Sequence, residues 1–158
     1  MPNEVKEKFS AAAALTISLA SLASSSVGVG RQSTVVDNST SRYGRILLYV
    51  KVKQGTSPTS ARGVYVWGIR SDGAGSPQRT DGAGASDAAF TAVAAQLLGI
   101  LPNKATGAAT GDNVIGEVIF DNPGPGWAIA ISHDTGVALD STGGNHVVNW
   151  VGVNPEIQ

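Results

Sequence analysis

His133 and His146 are the only imidazoles in this 158-residue chain, and the first of them is followed directly by Asp134. A His-Asp pair is the device with which some metal-dependent phosphohydrolases hold a hard metal that activates water. That chemistry needs further His and Asp ligands around the metal, and only His146 remains to supply an imidazole. A surface turn entering Thr135-Gly136 at the end of a strand accounts for the dipeptide more simply. Asp72, Asp81, Asp87, Asp112 and Asp121 offer the carboxylate oxygens that calcium takes from irregular loops. They follow neither the EF-hand nor the nonapeptide spacing, and Asp-Gly is the ordinary vocabulary of turns. No Gly-x-Ser-x-Gly elbow and no Walker loop is present, and Gly28-Val29-Gly30 is too short for a dinucleotide fingerprint. The chain has no cysteine, which excludes thiolate zinc sites, cysteine nucleophiles and disulfide frameworks together. The expectation is a protein that is not an enzyme, with no catalytic residue, no cofactor and no metal site.

Binding chemistry has more to work with. Trp67, Trp127, Trp150, Tyr43, Tyr49 and Tyr65 are the aromatic faces that could stack on sugar rings. Three of them fall in the middle of expected strands, where packing is their commoner fate. Tyr49 is the best surface candidate, because it shares a strand face with Lys51 and Lys53. The formal net charge of −1 provides no basic field for a nucleic-acid backbone or an anionic membrane, so neither is an expected partner. Only 15% of residues are charged, against roughly 25% in ordinary soluble domains. So uncharged a surface is either covered by Ser, Thr and Gly or buried against neighbouring proteins, and burial is the expectation for a good part of it.

The elements that must position these groups are strands. Twenty glycines and seven prolines stand among abundant Val, Ile, Ser, Thr and Ala, the composition of many short strands and tight turns. Lys6 and Lys8, then Ala11 to Ala14 and Leu15 onward, superficially resemble a secretory leader. The period-two alternation of Leu15-Thr16-Ile17-Ser18-Leu19 fits a strand over Leu15 to Ala20 better. Val5 to Phe9 is a short extended segment, so residues 1–14 form an N-terminal arm and residues 15–158 a sandwich domain. Gln32 to Val36 is extended, and Arg45 to Lys53 is the clearest strand. In it Ile46, Leu48, Val50 and Val52 point to the core, and Arg45, Leu47, Tyr49, Lys51 and Lys53 point outward.

Gly55 to Thr59 breaks that strand, and Val64 to Ile69 is expected to fold back on it as a hairpin. Ser71 to Ala85 carries two Asp-Gly-Ala-Gly copies and reads as a long loop. A short helix is conceivable after Ser86, with a strand at Leu97 to Leu101. Val114 to Phe120, Trp127 to Ser132 and His146 to Val153 complete about eight strands. This is the pattern of an all-β, jelly-roll-like antiparallel sandwich with an extended N-terminal arm.

The phrases Gly30-Arg31-Gln32-Ser33-Thr34-Val35-Val36-Asp37-Asn38-Ser39-Thr40, Gly55-Thr56-Ser57-Pro58 and Val64-Tyr65-Val66 resemble small structural proteins of tailed-bacteriophage virions. So do Asp121-Asn122-Pro123-Gly124-Pro125, His133-Asp134-Thr135-Gly136-Val137 and Gly152-Val153-Asn154-Pro155-Glu156. The resemblance implies a jelly-roll decoration or cement subunit on the outer capsid surface. Its partner would be the major capsid protein, and it would act as a homo-oligomer, commonly a trimer. A tail or fibre sandwich binding host-surface glycan is the alternative. Val5 and Phe9 of the arm, with Arg42, Arg45, Tyr49, Lys51 and Lys53, are the expected capsid or subunit contacts.

Overall fold

The computed structural model describes residues 4–25, 29–58, 63–72, 86–89, 95–103, 111 and 113–157. The strands are β1 (Val5–Phe9), β2 (Ala13–Ala14), β3 (Val29–Gln32), β4 (Val36–Asp37), β5 (Arg45–Lys53) and β6 (Gly63–Ser71). They continue with β7 (Ala88–Ala89), β8 (Gln96–Pro102), β9 (Asn113–Asp121), β10 (Gly126–His133) and β11 (Val147–Ile157). One sheet runs β1-β11-β5-β9, with β2 also on β11; the other runs β7-β3-β10-β6-β8, with β4 also on β10. All pairings are antiparallel.

Eight of these strands have four residues or more. Numbered along the chain, the first, eighth, third and sixth form one sheet, and the second, seventh, fourth and fifth form the other. This interleaving is the jelly roll, and it places chain-distant strands side by side.

The core follows from strand alternation. Ile46, Leu48, Val50 and Val52 of β5 meet Val64 and Val66 of β6 and Trp127, Ile129 and Ile131 of β10 in one buried cluster. Trp127 lies edge-on to Phe120 and Trp150, with centroids at 6.4 and 5.3 Å. Gly152 is required here, because a Cβ would lie 2.3 Å from the Tyr43 ring that covers it.

Two expectations are corrected. Val64 to Ile69 does not form a hairpin with Arg45 to Lys53: β5 pairs with β9 and β11, and β6 with β8 and β10. Both edges of β5 are taken, so β6 belongs to the other layer, and layers in sandwiches lie ~10 Å apart. Leu15 to Ala20 is not a strand. Leu15, Leu19 and Leu22 are all buried, and the backbone bridges the sheets, with Leu15 N–H donating to Val148 O and Thr34 N–H to Thr16 O. A segment divided between two layers forms no ladder. Arg31 clamps it, donating to Ser18 O and Ala20 O at 3.0 and 2.8 Å and pairing with Asp87.

Residues 73–85 of the expected loop, residues 90–94 of the helix candidate, Asp81 and Asp112 lie outside the described residues.

Candidate functional site

His133 ends β10 fully buried, with Asp134 6% and Thr135 0% exposed, so the expected surface turn is instead interior. His133 Nε2 lies 2.8 Å from the Leu22 carbonyl, which can only accept, so that nitrogen carries the proton. Nδ1 lies 3.0 Å from the Thr135 hydroxyl. Burial pushes the imidazole below its ordinary value, against the opposing pull of the Leu22 bond and the Asp134 charge. The Asp134 carboxylate accepts from Gly63 N–H at 2.9 Å and from the Tyr65 hydroxyl at 3.1 Å.

His146 stands apart, donating to Asp140 O at 2.9 Å and accepting from Lys53 N–H at 3.3 Å. The Asp140 carboxylate is held down to about 2, first by the Asn145 amide and then by Thr142 N–H. Each of these groups has a local structural task. Among the described residues no three His, Asp or Glu side chains gather in a way that could hold a metal.

The outward face of the first sheet is chemically different. Register fixes its rows: Phe9, Val153, Arg45 and Asp121; then Val151, Leu47 and Ile119; then Asn149, Tyr49 and Glu117; then Val147, Lys51 and Ile115. Side chains directly opposite one another on neighbouring strands share a face. Among the described residues, eight large hydrophobic side chains are exposed, and six of them lie here: Val5, Phe9, Tyr49, Ile115, Ile119 and Val147. Ile115 is 70% exposed. Tyr49, Lys51, Ile115, Glu117, Val147 and Asn149 line a shallow depression of about 430 Å³ in its middle.

The face continues past the sandwich. Residues 154–157 of β11 extend beyond the start of β5 and pair only with β1, with Val5 opposite Ile157 and Lys8 opposite Asn154. This two-stranded overhang puts Val5, Glu7, Phe9 and Pro155 on the apolar side. Lys6, Lys8, Asn154 and Glu156 are on the other, where Lys8 and Glu156 pair at 3.0 Å. The arm segment Val5 to Phe9 is thus an edge strand of its own chain's sheet.

The expected contact residues separate on this geometry. Val5, Phe9, Arg45, Tyr49, Lys51 and Lys53 all belong to the outward face. Arg42 does not. It stands in the turn before β5, donating to Ser39 O at 3.2 Å, beside a cleft of about 500 Å³ lined by Asn38, Tyr43, Asn122 and Pro125. The Asn38 side chain locks that cleft through bonds to Tyr43 O, Gly124 O and Tyr43 N–H.

The cations also differ. Arg45 is neutralised by Asp121 at 2.8 Å and Glu7 at 3.3 Å, and Lys53 reaches Asp140 at 3.6 Å. Among the described residues, Lys51 and Glu117 have neither an ion pair nor a side-chain hydrogen bond, although they are diagonal neighbours across β5 and β9.

Sequence reasoning missed Ile115, Glu117, Ile119 and Val147. The signal was present in Val114 to Phe120, where apolar residues occupy both phases of the alternation. A strand of that kind is written to be covered on both faces. What the fold and its surface define is a jelly-roll sandwich in which one outward sheet face carries most of the exposed large hydrophobic side chains among the described residues. The sequence matches no protein-family model and no curated protein.

Proposed function

We propose that this chain is a non-enzymatic structural protein of a tailed-phage virion, a decoration or cement subunit that binds the major capsid protein lattice on its outer surface. The observation that carries the reading is the apolar outward face running from Val5 and Phe9 through Tyr49 to Ile115 and Ile119. Water contact with so much aliphatic surface is unfavourable by roughly 25 cal/mol per Å², so such a face is kept for a protein partner. The low charge content and the resemblance in turn and strand phrases support the same assignment. The work is binding: copies repeated on an icosahedral lattice turn modest contacts into high avidity and stiffen the shell. A homo-oligomer, a trimer by the resemblance, would present several lattice contacts at once.

The test is to mix purified protein with capsids lacking it and look for added density by cryo-electron microscopy. Ordered density across capsid-subunit junctions is expected; a bare shell would overturn the capsid assignment.

A second reading, a tail or fibre module binding host glycan, is favoured by one observation. The Tyr49 ring, 42% exposed, borders the depression together with Asn149 and Glu117, an aromatic surface next to polar hydrogen-bonding groups. Binding of the isolated protein to host cells, abolished by Tyr49→Ala, is the outcome that would select it.

A further inference from the structure

The outward face of the first sheet has a more specific occupant. We infer that it is covered by a second copy of this chain, with Lys51 of one copy facing Glu117 of the next. This rests on reading the chain as a homo-oligomeric binding protein, and it assigns the middle of the outward face, around the depression, to the contact between copies.

Three observations lead there. The first is charge. Lys51 and Glu117 have opposite signs, flank the same depression and are the two charges near its centre that the described residues leave without a partner. A patch carrying one unpaired cation and one unpaired anion is complementary to itself. A two-fold contact makes the Lys51–Glu117 pair twice, and a closed ring makes it once per contact. The net charge of −1 leaves little long-range repulsion between copies.

The second observation is shape and size. Ile115, at 70% exposure, projects beside a depression of about 430 Å³ that it helps to line, so the face carries both a knob and a hollow. The paired stretches of β11, β5 and β9 with the β1–β11 overhang, at ~3.4 Å per residue and ~4.8 Å between strands, make a face of roughly 550 Å². With side-chain relief this approaches the ~800 Å² that each partner contributes to a stable interface.

The third observation weighs against one competing mode of self-association, pairing through the β9 edge. β9 is an edge strand, and edge strands invite antiparallel pairing with another copy. Glu117 is the central residue of Asn113–Asp121, so in-register pairing would set Glu117 against itself. Like charges directly opposite are destabilising. The β9 edge is therefore guarded while the face beside it is open.

Sedimentation velocity on the full chain, from about 1 to about 100 μM, tests this. The expected particle is a multiple of 16.0 kDa. Lys51→Glu and Glu117→Lys should each weaken association by roughly tenfold or more, and the double exchange should restore it. Ile115→Thr, a β-branched replacement at the most exposed position, gives the same readout if a reversed charge disturbs folding. A wild-type protein that stays at 16.0 kDa throughout, or reversals that associate as tightly as wild type, would overturn the inference. Capsid binding by a protein that remains monomeric overturns it alone. An oligomer that ignores capsids overturns the capsid assignment alone.

Discussion

On the outward side of the second sheet, Ala128 and Ala130 are completely buried, packed with Ile69 against Trp67, Val35 and Ala95. On the outward side of the first sheet, Ile115, Ile119 and Tyr49 stand in water. Both are antiparallel faces of one sandwich. The difference is side-chain size: methyl groups on β10 leave room for Trp67 to close over them, and the Trp67 indole N–H then finds the Ser132 hydroxyl at 3.1 Å. On β5 and β9 the outward side chains are large, and the described chain places nothing over Ile115, Ile119 or Tyr49. The described residues cover the β10 part of one face and leave the β5–β9 part of the other open.

The sharpest way to break this comparison is to put the same charge on each face. Ala130→Glu should destabilise the monomer by at least ~3–5 kcal/mol or prevent folding, because it buries a carboxylate without a partner. Ile115→Glu should move the urea midpoint by no more than ~0.5 kcal/mol equivalent while removing association. Equal losses of stability would erase the distinction.

Within β5, Leu48→Ala should cost ~2–5 kcal/mol by chemical denaturation as a cavity opens in the core. Leu47→Ala, one residue along on the outward face, should cost less than ~1.5 kcal/mol when measured at monomeric concentrations.

Acidification acts on the buried side. The native His133 value lies below the ordinary one, so the unfolded chain binds the extra proton first and stability falls as pH drops below about 6.5. Melting temperatures taken from about pH 7.5 to about pH 5.5 should therefore decline. His133→Gln, whose amide can keep a donor toward Leu22 O, should flatten that decline. The Asp140 contribution is present above 3.8 and is lost only as pH falls toward about 2. The smallest effect is expected at the overhang, where Lys8→Ala removes an exposed pair with Glu156 and should change stability by less than ~0.5 kcal/mol.

The alternation in Arg45 to Lys53 made both faces of β5 legible in the sequence, and with them Tyr49 and Lys51 as surface groups. β9 was harder. Its core phase, Val114, Val118 and Phe120, is plain, but Ile115 and Ile119 look like core until register shows which face they share. The Val64 to Ile69 partner was misassigned because nearness in sequence favours a hairpin, whereas the interleaved order gives each strand distant neighbours. Leu15, Ile17 and Leu19 alternate as a strand would, while the segment that holds them bonds to both layers. The burial of His133 had no local signal, since the Leu22 carbonyl that receives its proton is more than a hundred positions away.

The side-by-side placement of the first and eighth long strands also governs time. The first sheet lacks its second member until β11 has left the ribosome, and β10 must insert between β3 and β6 before the second sheet is whole. Few early contacts repay the entropy of closing such long loops, so folding belongs with the slow, millisecond-to-second β topologies. Throughout that interval Ile115 and Ile119 are exposed on a strand that already has sheet-forming sequence. The charge at Glu117, midway between them, opposes in-register pairing of two such strands edge to edge, because it would be set against itself.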